Sequence, residues 1–171
     1  MKILNRVPHE FFITKGSGCS ELALHPGSYH MALHDAGIHE FNIIGYSSVL
    51  PATSKLLSMD EVDLPPFGSE LCTIMAHADG MYGEHISAGI IYAWLYKDES
   101  CEDKIGGIVC ELAGYFDVES LEERLYSVIK DMHLKTFKKY YLGEPQVMTE
   151  SLTIDKRYGT AIVAMCFVNY K

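Results

Sequence analysis

Apolar runs rich in Ile, Val, Tyr and Phe recur along the chain at Phe11–Thr14, Phe41–Tyr46, Leu71–Ala78, Ile86–Tyr96, Ile105–Ala113, Gln146–Ile154 and Thr160–Tyr170, each closed by Gly, Pro or charge. Short bounded runs of β-branched and aromatic residues predict strands. Helical spacing is confined to two stretches, Ser28–Ala36 and Val118–Tyr140. In the second, Val118, Leu121, Leu125, Val128 or Ile129 and Met132 recur at every third or fourth position, and Asp117 stands where an N-cap belongs. Strands this numerous, with helices too few for regular βαβ alternation, point to an α+β fold, a layered sandwich of mixed sheet and helices, rather than a doubly wound parallel sheet. With 171 residues, 48% of them hydrophobic, and no linker, repeat or low-complexity segment, residues 1–171 read as a single domain able to bury its own core.

Charge narrows the classes of partner. The 23 acidic against 14 basic residues give a net charge of −9, which argues against nucleic acid, since neutralising phosphates needs clustered Lys and Arg. An acidic surface suits a cationic small molecule better. Cys19, Cys72, Cys101, Cys110 and Cys166 are odd in number and form no CxxC pair, so a reducing, cytoplasmic setting is expected. The N-terminal MKILNRVPHEFF breaks at Asn5-Arg6 and Pro8 before a signal-like apolar region can build. The longest nearly apolar run, Gly159–Val168, falls short of the ~20 residues of a membrane helix, so no membrane partner is expected. The loop Lys97–Lys104, KDESCEDK, reads as a solvated turn.

Within Phe41–Pro51, FNIIGYSSVLP, a strand pattern runs into the adjacent serines Ser47 and Ser48. A β-hydroxyl placed just after a peptide carbonyl can attack it and turn the amide into an ester. β-Elimination then leaves a dehydroalanine, which hydrolyses to a pyruvoyl group. A Ser-Ser pair at a strand end is also ordinary turn chemistry, so the dipeptide needs company to be read as a cleavage site.

That company is present. Tyr29–Ile38 (YHMALHDAGI), Asn42–Pro51 (NIIGYSSVLP), Gly83–Ala88 (GEHISA) and Ile105–Glu111 (IGGIVCE) resemble, in order and spacing, segments of the pyruvoyl-dependent arginine decarboxylase family. The resemblance runs from about Phe11 to Lys171, and the family's Asn, Ser-Ser, Leu/Met-Pro and late Glu fall on Asn42, Ser47-Ser48, Leu50-Pro51 and Glu111. It implies a mixed sheet layered with helices, assembling as a homotrimer, with pairing of trimers left open. It further implies scission between residues 47 and 48, leaving a covalent pyruvoyl group derived from Ser48 as the cofactor. The implied reaction takes L-arginine to agmatine and carbon dioxide.

Each residue has a plainer alternative. Asn42 lies six positions before Ser48 on the same expected strand, and even spacing puts both side chains on one face, where the Asn42 amide could steady the oxyanion of self-cleavage. Alternatively it satisfies a neighbouring backbone group. Glu111 ends an apolar run, and a carboxyl made costly to ionise is a usable proton donor for the carbanion left by decarboxylation; otherwise it faces water. Glu84 has no assigned chemistry, and accepting backbone amides of its own turn is the default. His30 and His34 are spaced for a metal, with His25 and His39 nearby, but HExxH is missing and no metal is expected. Gly16–Glu21 begins like a dinucleotide loop, yet Glu21 occupies the third glycine position.

Two departures from the family matter. Ala52 stands where a second proline usually follows Pro51. Where the arginine enzymes carry Phe-Asp, the Asp expected to meet the guanidinium, this chain has Tyr29-His30, leaving His30, with Asp35 as a stand-in carboxylate, to contact the substrate. The rival readings are a decarboxylase of another amino acid, an uncleaved homologue that serves as a binding or scaffold protein, and a metal-binding module on His30 and His34.

Overall fold

The computed structural model describes residues 6–171; Met1–Asn5, where the signal-peptide reading begins, lie outside the described residues. The first sheet holds β1 (Pro8–Ser20), β2 (Asn42–Gly45), β4 (Lys55–Leu56), β5 (Glu70–Met81) and β10 (Tyr158–Tyr170), in the order β2-β5-β10-β1-β4. The second holds β3 (Val49–Pro51), β6 (His85–Tyr96), β7 (Lys104–Gly114), β8 (Tyr141–Leu142) and β9 (Gln146–Thr153), in the order β3-β7-β6, with β8 and β9 both pairing β6. The first sheet is mixed, because β2 and β4 run parallel to β5 and β1 while the other pairs are antiparallel.

The two sheets pack face to face around Phe11, Ile74, Ile90, Tyr92, Val109, Val163, Met165 and Phe167. The helix α1 (Tyr29–Asp35) covers the outer face of the first sheet, with Ala32 and Leu33 against Phe12, Ile162 and Ala164. The helix α2 (Val118–Met132) covers the outer face of the second, with Leu121, Leu125 and Ile129 against Ile91, Ala93 and Ile108. The result is an α+β sandwich of helix, sheet, sheet and helix. It explains the unbroken apolar run of β10: Val163, Met165 and Phe167 enter the inter-sheet core while Ile162, Ala164 and Cys166 face α1. A strand covered on both faces has no polar side to alternate with.

Three expectations need correction. The strand read over Phe11–Thr14 extends from Pro8 to Ser20 and takes in Gly16–Ser20, where the dinucleotide-loop reading already fails. Its glycines make room for α1: a Cβ on Gly16 would lie 2.4 Å from the Ala32 carbonyl oxygen, and one on Gly18 2.5 Å from the Met31 Cβ. Both obstacles belong to α1 itself, so relief requires the whole helix to shift. Gly16→Ala is therefore expected to destabilise the protein by about 1–3 kcal/mol, read from urea unfolding.

The second helix is α-helical to Met132 and continues as a π-helical turn over His133–Phe137, so the helical run ends three residues short of Tyr140. There Thr136 Oγ1 donates to the Met132 carbonyl, four residues back, at 2.7 Å, a side-chain bond at the point where the α-helical ladder widens. The strand read over Phe41–Tyr46 ends at Gly45, and a separate strand begins at Val49 in the other sheet.

Candidate active site

β5 faces β7 and β10 faces β6 across the core, so the edge strands β2 and β3 lie on the same side of the sandwich. Ser47 and Ser48 carry the chain between them. Tyr46 is still fastened to the first sheet by its N–H on the Thr73 carbonyl at 2.7 Å, whereas the Ser48 carbonyl already accepts from Val109 N–H of the second at 2.9 Å. The peptide bond between residues 47 and 48 is thus held from both ends.

The Val49 N–H donates back to the Ser47 carbonyl oxygen at 3.0 Å, closing a γ-turn centred on Ser48. Only Cys101 among described non-glycine residues has positive φ, so the turn is of the common inverse kind. It places a backbone donor on the carbonyl oxygen that would carry negative charge during attack, within the 2.7–3.1 Å range of a working oxyanion donor. Residue types give no hint of this donor, because every non-proline residue carries an N–H.

Ser48 precedes β3 and meets β7 through its backbone, its carbonyl on the Val109 N–H, while Glu111 lies two residues beyond Val109 on β7. β3 pairs with β7 only over Val49–Pro51, which leaves the β7 edge beyond Val109 open. There Ser48, Val109, Cys110 and Glu111 meet Val128, Asp131 and Met132 of α2 around an open pocket of about 330 Å³.

Glu111 is exposed at the pocket rim, and partial desolvation by its neighbours raises its pKa, offset in part by its own backbone N–H. Beside it, burial and then the Glu111 charge push the Cys110 thiol up to about 11, so it stays neutral at neutral pH. The Cys110 thiol approaches the Met132 sulfur at 3.5 Å and ties β7 to the last turn of α2.

The shared-face expectation for Asn42 and Ser48 does not hold, because the chain changes sheets between them. Asn42 opposes Glu70 at the start of β2, and its amide donates to the Gly68 carbonyl at 2.7 Å. The structure thus gives Asn42 a backbone-bracing partner, and the donor on Ser47 is Val49. Glu84 behaves as its default predicted: its carboxylate accepts from Met81 N–H at 2.7 Å, and Gly83 supplies the positive φ of 82° in that turn.

His30 and Asp35 lie on α1, in the outer layer opposite the one formed by α2, and His30 lines a different pocket with Leu22, Pro26 and Met31. Asp35 accepts from Ser17 N–H at 3.0 Å and so braces α1 to β1. His39 stands beside both helix histidines, its ring 5.8 Å from that of His30 and 4.7 Å from that of His34. No three His, Cys, Asp or Glu side chains among the described residues are arranged to hold a metal ion. Sequence reasoning also missed a polar chain under the start of α1, in which Asp79 accepts from Thr160 at 2.6 Å and Thr160 meets the buried Ser28 hydroxyl at 2.9 Å.

Among the described residues no helix is long and apolar enough to cross a membrane. Comparison with known proteins places this arrangement in a lineage. A family model described as pyruvoyl-dependent arginine decarboxylase matches residues 10–171. A pyruvoyl-dependent arginine decarboxylase of Thermoplasma volcanium is 32% identical over 154 residues, covering 84% of this chain and 82% of that protein. Pyruvoyl-dependent arginine decarboxylase 2 of Archaeoglobus fulgidus is 30% identical over 168 residues, covering 95% and 98%. The Chlamydia muridarum protein AaxB, of the same description, is 29% identical over 186 residues, covering 97% and 93%. Matched over nearly its whole length, with Ser48 and Glu111 on one pocket, the chain belongs to the pyruvoyl-dependent arginine decarboxylase family.

Proposed function

We propose that this chain is a single-domain, self-processing decarboxylase that converts L-arginine to agmatine and carbon dioxide with a pyruvoyl group derived from Ser48. The observation that carries the reading is the meeting of Ser48 and Glu111 in one pocket, beside a Ser47 carbonyl that already accepts a hydrogen bond. Ser48 Oγ attacks the Ser47 carbonyl carbon, and Val49 N–H meets the charge that develops on its oxygen. The C–N bond breaks, nitrogen takes the hydroxyl proton, and an ester remains. Loss of the Ser48 Cα proton and cleavage of the Cβ–Oγ bond release the Ser47 carboxylate. Water then replaces nitrogen as ammonia, leaving pyruvoyl at position 48.

A pyruvoyl group at position 48 would supply a carbonyl for the substrate amine and a sink for the electrons freed as carbon dioxide leaves. Glu111 returns the proton, for which a raised pKa suits it. His30 lines another pocket in the opposite layer, so it can read a substrate at Ser48 only from a second copy of the chain. Homotrimer assembly accords with this, and the outward Ile44 and Val49, 41% and 56% exposed on the neighbouring edge strands, offer apolar surface for it.

The test is the mass of the purified wild-type protein. Fragments 1–47 and 48–171, the second pyruvoyl-capped, support the reading. A chain still intact after prolonged incubation overturns it in favour of an uncleaved binding protein. Substrate choice is read from carbon dioxide release across arginine, lysine, ornithine, histidine and aspartate. An imidazole offers a guanidinium at most one acceptor and repels it once protonated. His30→Asp is therefore expected to raise kcat/KM for arginine on the order of tenfold relative to the other amino acids. An unchanged profile would mean that position 30 does not read the substrate.

A further inference from the structure

We infer that the sandwich carries a second binding site, away from Ser48, for a small uncharged molecule with an apolar body and one hydrogen-bond acceptor. A pocket of about 240 Å³ opens between β9 and the chain from Leu56 to Met59, at the edge of the sandwich opposite β2 and β3. It shares no residue with the Ser48 pocket, so the inference stands apart from the decarboxylase reading. Ile13, Leu56, Leu57, Met59 and Met148 give it apolar walls, and Tyr92 joins them from the inter-sheet core.

The walls are held without a ligand. β4 pairs with β1, the Leu57 N–H donates to the Phe11 carbonyl at 2.8 Å, and β9 is laddered to β6. Phe11 and Trp94 meet the Tyr92 ring edge to face, with centroids 6.1 and 6.2 Å away. Preformed apolar walls with a few placed polar groups are the usual make-up of a small-molecule site.

Two observations point to an occupant. Tyr92 is only 6% exposed, yet its hydroxyl has no hydrogen-bond partner among the described residues, and burial alone raises its pKa. A phenol so enclosed ordinarily finds an acceptor, and a molecule in the pocket that Tyr92 lines would bring one. Leu56 and Met59, 49% and 41% exposed, also hold apolar surface at the pocket that an occupant would take out of water.

Size and charge choose the ligand class. An apolar cavity of ~150 Å³ takes benzene, so this one admits a ring with a short substituent. No charged side chain lines the pocket, and an ion entering it would lose hydration without gaining a partner. The Ser58 hydroxyl and N–H are both taken by Glu61, at 2.7 and 2.9 Å, which leaves Tyr92 and Gln146 to meet a polar group.

The probes are benzyl alcohol and ethylbenzene, alike in shape and differing in the hydroxyl, titrated by calorimetry into wild type, Tyr92→Phe and Leu56→Trp. Wild type is expected to bind benzyl alcohol saturably, one molecule per chain. Tyr92→Phe should bind it about threefold to tenfold more weakly and hold ethylbenzene at least as well as wild type does. Leu56→Trp, which fills the mouth from a half-exposed position, should bind neither, and it decides alone if Tyr92→Phe fails to fold. Absence of saturable binding to wild type overturns the inference, as does binding that both variants leave unchanged. If a second copy of the chain covers the mouth instead, wild type binds neither probe and Leu56→Trp shifts the oligomeric state in sedimentation, which also overturns it.

Discussion

Ser48→Ala is expected to remain one intact chain of 171 residues and to release no carbon dioxide from any amino acid. The variant removes one oxygen, at a position where the γ-turn and the Val109 bond involve backbone groups only, so the local fold should persist. What disappears is the nucleophile, and with it the carbonyl on which decarboxylation depends. Ser47→Ala makes the matching control, because its hydroxyl has no role in the attack and its carbonyl is retained. Mass spectrometry of both variants beside wild type decides the matter: a cleaved Ser48→Ala would remove Ser48 from the chemistry altogether.

Turnover in a fully processed Glu111→Gln should fall by roughly 100-fold to 10,000-fold, the range of a general acid–base group. The amide preserves shape and cannot deliver a proton. Because partial desolvation raises the Glu111 pKa, the acid form persists to higher pH than in an ordinary glutamate, and wild-type kcat should decline as pH climbs through that raised value. The residual rate of Glu111→Gln should lack this limb. The linked stability effect has the same direction: the folded chain holds this proton more tightly than the unfolded one, so stability is lost as pH rises from the ordinary glutamate range to the raised value. Near-normal turnover in Glu111→Gln, with the alkaline limb intact, would remove it from the mechanism.

How much was legible in the sequence depended on whether the cause was local. Asp117 announced the start of α2 because a cap acts within its own turn, and the structure has its carboxylate accepting from Ser120 N–H at 2.7 Å. The long strands β5, β6, β7 and β10 were visible as β-branched runs. By contrast, the role of Gly16 and Gly18 was not legible, since the reason for them is a helix that packs on β1 from elsewhere in the chain. β3 was hidden because Val49–Pro51 reads as the tail of the preceding run, and only pairing with β7 reveals a new strand. The parity argument for Asn42 failed there, for period two is meaningful only within one strand. Ser48 and Glu111 were each legible as residue types in a familiar order. Their meeting on one pocket is tertiary and was not.

The position of β1 gives the proposed scission an energetic meaning of its own. β1 belongs to the shorter fragment, yet it lies between β4 and β10 and is laddered to β10 from Pro8 to Ser20. Before the cut, unfolding and refolding concern one molecule, and the midpoint is independent of how dilute the sample is. After the cut the native state becomes a complex of two polypeptides, so unfolding sets both free to diffuse and its equilibrium acquires mass action. A processed sample should thus melt at a temperature that rises with protein concentration, and the newly separated pieces would have to find one another to refold. Maturation, by this logic, commits each protomer to the single folding event that preceded it.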